Sequence, residues 1–304
     1  MRDKVYLIGF LVGAGLLLYV GRDLLQRSAA LTMVLAFSGV TAAGVLGMGF
    51  YRVQLDLRAS RRELARREAE LNFALEVQQA LFPRQFPADG GLEFSAICVP
   101  ARGISGDYYD VVALPDGRML FAIADISGKG ISAAILMSNL QAVLRTVAQA
   151  GSAPAEVCAQ LNRHLCQVSD STRFATFFFV EWKHGERALN YVNAGHLVPI
   201  VQGSISGRRL TDGGPPLGLF PETDFEVGQI VLQPGDMIVL YSDGITEAGI
   251  LRGEEFGESR LEEIITAHAH KPLAEIQEHV LKAVREWAGD EPDDDMTLLL
   301  ARAK

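Results

Sequence analysis

The sequence predicts an α+β fold for residues 82–304, preceded by two membrane-spanning helices and a helical linker. Three observations predict it. After Phe82-Pro83, segments with strand and helix periodicity come in clusters rather than strict alternation, which fits α+β better than a parallel α/β sheet. Two long uncharged stretches lie at the N-terminus. The charge divides at the same place: residues 1–81 hold 10 Lys+Arg and 7 Asp+Glu, whereas 82–304 hold 18 and 30.

In chain order, Val5–Gly21 and Ala29–Tyr51 carry no charge. The first is near the lower length for a spanning helix and the second is ample. Neither shows the polar stripe of a buried core helix. Arg2 and Lys4 precede the first, and Arg52, Arg58, Arg61, Arg62, Arg66 and Arg67 follow the second. By the positive-inside tendency both flanks are cytoplasmic and the link 22–28 lies outside. The expectation is a hairpin over 1–51 in the inner (cytoplasmic) membrane, with everything after it in the cytoplasm. A signal peptide cleaved near Ala29-Ala30 is the rival reading, and the second apolar span argues against it. Gly9-x-x-x-Gly13 has the spacing of a helix-packing contact.

Residues 52–81 are polar, helix-favouring and free of glycine and proline. Leu57, Leu64 and Leu71 recur every seven residues, but Ser60 and Arg67 occupy the alternate seam positions, so the heptad is weak. As a helix the tract spans about 45 Å. It is expected to act as a linker, with a homodimer formed through its coiled coil.

Within 82–304 the expected strands are 92–99, 118–125, 174–182, 188–193, 197–202, 228–232, 236–242 and 295–302. The expected helices are 131–149, 154–168, 258–269 and 272–288. The acidic surplus disfavours nucleic acid, whose binding depends on cationic contacts. Three cysteines (Cys98, Cys158, Cys166) form no CxxC pair and fit a reducing compartment, as small buried hydrophobes.

The placement of particular aspartates points to chemistry. Asp125 ends the apolar run from Met119, and Asp243-Gly244 ends the run from Met237. Asp293-Asp294-Asp295 precedes the run from Met296, and Asp107 lies in Gly103-Ile-Ser-Gly-Asp-Tyr-Tyr-Asp110. Each carboxylate sits at the mouth of a strand, in three cases beside glycine, which lets backbone approach a ligand closely. Gathered carboxylates repel unless neutralised. Oxygen donors without His or Cys select Mg²⁺ or Mn²⁺ over zinc. Asp293-x-Asp295-x-Thr297 also fits the DxDxT pattern of haloacid-dehalogenase-type phosphatases, but it follows a polar loop near the C-terminus instead of an early buried strand. Gly128-Lys129-Gly130 lacks the phosphate-loop frame and reads as a turn capping the helix from Ile131.

ISGDYYD (104–110), ADISGKGISAA (124–134), NAGH (193–196), PPLGL (215–219), YSDGITEA (241–248) and DDDMTLLL (293–300) occur in that order. Together they resemble the metal-dependent protein phosphatases of the protein phosphatase 2C superfamily, in the branch of bacterial stage II sporulation protein E and the sigma-factor regulatory phosphatases. The resemblance covers about 76–304. It implies an αββα four-layer sandwich carrying two divalent cations, Mn²⁺ or Mg²⁺. By motif, Asp125 bridges the two metals, the carbonyl of Ile126 completes one, and Asp107, Asp243 and Asp294 hold the other. Asp125 and Asp243 are then catalytic through a metal-bound water that attacks phosphorus. Asp294 is chosen over its neighbours because the family's Asp-Asp-x-Thr frame places it two residues before Met296. Ser105-Gly106-Asp107 stands where the branch often has Gly-Gly-Asp. His196 reads as structural, and Arg102 as an exposed strand-end residue.

The resemblance further implies a phosphoserine or phosphothreonine substrate on a small anti-sigma-factor antagonist, and control through the helix entering the domain, Leu75–Leu81. The expected function is a membrane-anchored serine/threonine protein phosphatase. The alternative is a catalytically inactive, phosphatase-like membrane docking module.

Overall fold

The computed structural model describes residues 11–16, 19, 21–22, 29–101, 103–169, 172–289 and 292–304. Of the first expected span, residues 5–10, 17, 18 and 20 lie outside the described residues, as do Gly9, residues 23–28 of the link, and Arg102. The chain divides into two compact units, Met1–Ala69 and Glu70–Lys304.

In the first unit, residues 11–16 are helical and helix α1 (Ala29–Gln79) begins. Its opening stretch is uncharged, and its large side chains, Phe37, Val40 and Phe50 among them, are exposed. Leu57, Leu64 and Leu71 are exposed as well. By length and composition α1 is able to cross a membrane, and so is α2 (Ile131–Gln149) of the second unit. Half of the apolar stretch of α2 is buried, however, so α2 is a core helix.

The second unit is a mixed α/β fold with two sheets. Strands β1 (Leu92–Val99), β10 (Met296–Ala303), β9 (Met237–Tyr241) and β6 (Ile200–Gln202) form one, antiparallel throughout. The other runs β2 (Tyr108–Ala113), β3 (Arg118–Ile126), β4 (Ala175–Lys183), β5 (Ala188–Ala194) and β7 (Gly213–Gly214), with β8 (Gly228–Val231) also on β5. Helices α2 and α3 (Pro154–Val168) come between β3 and β4. A short α4 (Asp243–Thr246), then α5 (Glu258–His268) and α6 (Leu273–Ala288), come between β9 and β10.

Alternation along the strands distributes their side chains among three apolar clusters. Phe177 and Phe179 of β4 pack with Leu140 and Leu144 of α2 and Leu161 of α3. Phe178, Val180 and Trp182 of the same strand pack with Ile238 and Leu240 of β9 and Leu299 of β10. Val239 of β9 and Leu298 and Leu300 of β10 pack with Leu261 of α5 and Ile276 and Val280 of α6. The strands flanked on both sides are therefore apolar on both faces.

Most expected elements lie within a residue of their observed bounds, and four differ. Strand β2 is absent from the expected strands; its first four residues are all buried, which removes the polar alternation. The expected strand 197–202 starts only at Ile200. Strand β7, two glycines long, has no side-chain signal at all. Helix α4 occupies the turn after Ser242.

Candidate active site

Strand register brings one set of strand ends together. Tyr108 pairs with Ala124, so Asp107 precedes β2 at the end where Asp125 and Ile126 finish β3. In the other sheet Val99 pairs with Met296, and Leu298 with Tyr241. The end of β1, the end of β9 and the start of β10 thus lie side by side, placing Asp243 next to the Asp293–Asp295 run. Ser242 stitches them: its N–H donates to the Thr297 carbonyl at 3.0 Å, and its Oγ receives the Thr297 N–H at 2.8 Å.

Two glycines make the close approach. A Cβ on Gly244 would stand 2.1 Å from the Asp295 carbonyl oxygen, so only glycine lets α4 pack on the Asp294–Asp295 backbone. A Cβ on Gly106 would stand 3.2 Å from the Ile126 carbonyl oxygen, which puts that oxygen against the loop carrying Asp107.

The carboxylates differ in their surroundings. Asp107 is buried, and its Oδ2 has no hydrogen-bond partner. Burial, then the charges of Asp125 and Asp295, hold it well above the usual carboxylate range, while the hydroxyls of Ser242 and Thr297 pull the other way. Asp125 is pushed up to about 7, first by burial and then by Asp243, Asp294 and Asp295. Asp243 is raised by burial and by Asp294. Asp295 accepts the N–H groups of Ala101 at 2.8 Å and Gly106 at 2.7 Å, so it ties the Asp107 loop to β10. Asp294 instead pairs with Lys129 Nζ at 2.5 Å, and Asp293 accepts the Gly249 N–H at 3.3 Å. Asp107, Asp125 and Asp243 are therefore held above the usual carboxylate range by burial and by the charges of neighbouring aspartates, Asp294 among those acting on Asp125 and Asp243.

Among the described residues, no three His, Cys, Asp or Glu side chains converge closely enough to hold an ion as they stand. The donor chemistry nevertheless fits hard divalent cations: an all-oxygen set, mutual repulsion that cations would relieve, and an orphaned buried oxygen on Asp107.

His196 is structural in its contacts. Its Nε2 faces the Tyr241 carbonyl at 3.1 Å, so the proton resides there, and Nδ1 accepts from the Thr176 hydroxyl at 2.8 Å. It thereby joins β4 of one sheet to β9 of the other. Burial lowers its pKa to about 4 from the ordinary 6.5. Below pH 6.5 the unfolded chain takes up a proton that the folded chain refuses, so this contribution is complete above pH 6.5 and lost toward pH 4. The total is on the order of 3 kcal/mol. His196→Asn is expected to flatten the fall of melting temperature between pH 6.5 and 4; identical slopes in the two proteins would contradict this.

Sequence reasoning missed Gln78. It is buried, and its side-chain amide makes paired bonds with Ser105: Nε2–H donates to the carbonyl at 2.7 Å, and Oε1 accepts the N–H at 2.9 Å. Ser105 Oγ in turn accepts the Asp107 N–H at 2.9 Å. The resemblance pointed to the helix 75–81 that contains it, but not to this glutamine. Cys98, beside Ser105 Oγ at 3.3 Å, has its thiol pushed up to about 12 by burial and by Asp107, so it stays protonated.

With this geometry in hand, comparison with known proteins is specific. The family profile of stage II sporulation protein E (SpoIIE) matches residues 115–304. Phosphoserine phosphatase RsbU of Bacillus subtilis is 31% identical over 263 residues, covering 86% of this chain and 77% of that protein. The PP2C domain of SiaA from Pseudomonas aeruginosa superposes with a TM-score of 0.66 at 23% identity, over 79% of this chain and 98% of that one. RsbX, solved in complex with magnesium, superposes with a TM-score of 0.54 at 17% identity, over 72% of this chain and 99% of that one. A profile match over more than half of the chain, and a relative above 30% identity along most of it, lead to one assignment: the chain belongs to the SpoIIE family of PP2C-type protein serine/threonine phosphatases.

Proposed function

We propose that this protein is a membrane-anchored phosphatase that hydrolyses phosphoserine or phosphothreonine in a bacterial regulatory protein, using two divalent cations, Mn²⁺ or Mg²⁺. Asp107, Asp125, the Ile126 carbonyl, Asp243 and Asp294 hold them. The observation that carries this reading is the gathering of four carboxylates, far apart in sequence, at one set of strand ends, where neighbouring charge and burial raise the proton affinity of Asp107, Asp125 and Asp243. Cations bound there would supply Lewis acidity and a nucleophile at neutral pH. The three apolar clusters support the αββα order of layers, with this site at the edge of the paired sheets.

The chain's own residues prepare the site. Asp295, spent on the N–H groups of Ala101 and Gly106, fixes the loop of Asp107 and leaves Asp294 as the ligand of the run. Lys129 occupies Asp294 by an exposed ion pair, a weak contact that an entering cation can displace. Ser242 and His196 hold β9, and with it Asp243, in register. The test is hydrolysis of a generic aryl phosphate by the full chain in detergent, with Mn²⁺ and with chelator. Turnover that persists in chelator would overturn the metal mechanism.

A second reading is a catalytically inactive docking module. The lack of three converging side chains among the described residues favours it, but repelling carboxylates spread apart without cations in any case. Absence of Mn²⁺-dependent turnover would select this reading.

The domain division follows the sequence: a hairpin over 1–51, a linker over 52–81 and the phosphatase domain over 82–304. The catalytic domain faces the cytoplasm. Exposed Leu57, Leu64 and Leu71 support pairing of two linkers in a homodimer. The family relationship supports a small anti-sigma-factor antagonist as the substrate, in keeping with the phosphoserine phosphatase name of RsbU. Gln78 couples the end of the linker to the Asp107 loop. Gln78→Ala strands the buried N–H and carbonyl of Ser105, at a cost of about 2 kcal/mol. It is expected to raise the Mn²⁺ concentration needed for half-maximal turnover. An unchanged metal requirement would show that the helix does not act on the site.

A further inference from the structure

The turn after the Asp243-Gly244 motif has no part in the arrangement above. Ile250–Arg252 form a 3-10 turn between Gly249 (φ 86°) and Gly253 (φ 101°). The turn is well bonded. Ile250 N–H donates to the Glu247 carbonyl at 3.0 Å, Arg252 N–H to that of Gly249 at 2.8 Å, and Gly253 N–H to that of Ile250 at 3.0 Å. A Cβ on Gly249 would stand 2.9 Å from the Glu254 carbonyl oxygen and 3.0 Å from the Trp287 ring, so the base of the turn is packed tight.

This fixed turn leaves Leu251 80% exposed and Ile250 50% exposed. Single exposed apolar residues are ordinary on protein surfaces. These two are adjacent, held by a bonded turn, and line a groove of about 280 Å³ whose walls also include Lys129, Glu247, Asp293 and Asp294. The groove is therefore continuous with the candidate metal centre through Asp294. A phosphoserine delivered to that centre brings its neighbouring residues into this groove. The apolar wall complements an apolar side chain, and Glu247 and Asp293 complement a basic one, because like charges there would repel.

Resting on the phosphatase reading, we propose that this groove seats the substrate chain beside its phosphoserine. It takes an apolar residue against Ile250 and Leu251 and a basic residue against Glu247 and Asp293. The groove thus selects among phosphoproteins, while the carboxylate cluster performs the reaction common to all of them.

The test uses the full chain in detergent with Mn²⁺ and synthetic phosphoserine peptides, with leucine placed in turn on each side of the phosphoserine and arginine beyond it. In one placement the leucine peptide should exceed its serine counterpart in kcat/KM by about tenfold, the discrimination expected from one apolar contact. Glutamate in place of arginine should lower kcat/KM further. Leu251→Ser should erase the leucine preference and Leu251→Met should retain it. A preference that survives Leu251→Ser, or a wild type that does not discriminate, would overturn the groove assignment. Wild-type protein without Mn²⁺-dependent turnover of either peptides or aryl phosphate would instead overturn the phosphatase reading, and the groove with it.

Discussion

Asp243→Ala is expected to lower Mn²⁺-supported turnover of an aryl phosphate by about a thousandfold, equivalent to about 4 kcal/mol of transition-state stabilisation. The same substitution should act in the opposite direction on the metal-free protein. Asp243 is raised by burial and by Asp294, and it raises Asp125 in turn, so the gathered carboxylates destabilise the empty fold. Removing one of them relieves that repulsion, and the metal-free variant should melt at or above the wild-type temperature. With Mn²⁺ the order should reverse, because only the wild type gains the full stabilisation of bound cations. A variant less stable than wild type under both conditions would indicate a structural aspartate.

Gly244→Ala is expected to damage both stability and activity through one added methyl group. The new Cβ would lie 2.1 Å from the Asp295 carbonyl oxygen and 2.8 Å from its carbon, a backbone obstacle that no side-chain rotation relieves. Either α4 or the Asp294–Asp295 segment has to shift, at a cost of about 1–3 kcal/mol for an overpacked interior. Because the shift separates Asp243 from Asp294, turnover should fall well beyond what the lost stability accounts for. Thermal unfolding alongside kinetics at saturating Mn²⁺ separates the two effects. Wild-type turnover in Gly244→Ala would show that this close approach does not position the ligands.

Much of the phosphatase domain was legible because its central strands are long apolar runs and its helices carry clear stripes. Helix α2 begins after Gly130, whose φ of 74° suits glycine, and α3 begins with Pro154 in its first turn; both are local signals that the residues alone announce. What stayed hidden depended on tertiary contacts. Strand β2 has no polar alternation because its early residues are covered on both sides. The role of Asp295 became visible only when the loop of Ala101 and Gly106 was found against it, since three consecutive aspartates look alike in sequence. The resemblance pointed to the helix 75–81 but not to Gln78 within it, because its partner Ser105 lies 27 residues away and the pairing depends on where a helix end meets a loop. His196, by contrast, was legible as structural from its Asn-Ala-Gly-His turn, although its role in linking the two sheets was not.

The central claim is that distant aspartates create one site for two hard cations. Counting Mn²⁺ bound to the purified full chain, by equilibrium dialysis with elemental analysis, tests it most directly. The account predicts two ions per wild-type chain at saturation and a lower count in Asp125→Ala, which removes one of the proposed ligands. A wild type that binds no Mn²⁺, or an Asp125→Ala protein that binds as much as wild type, would contradict it.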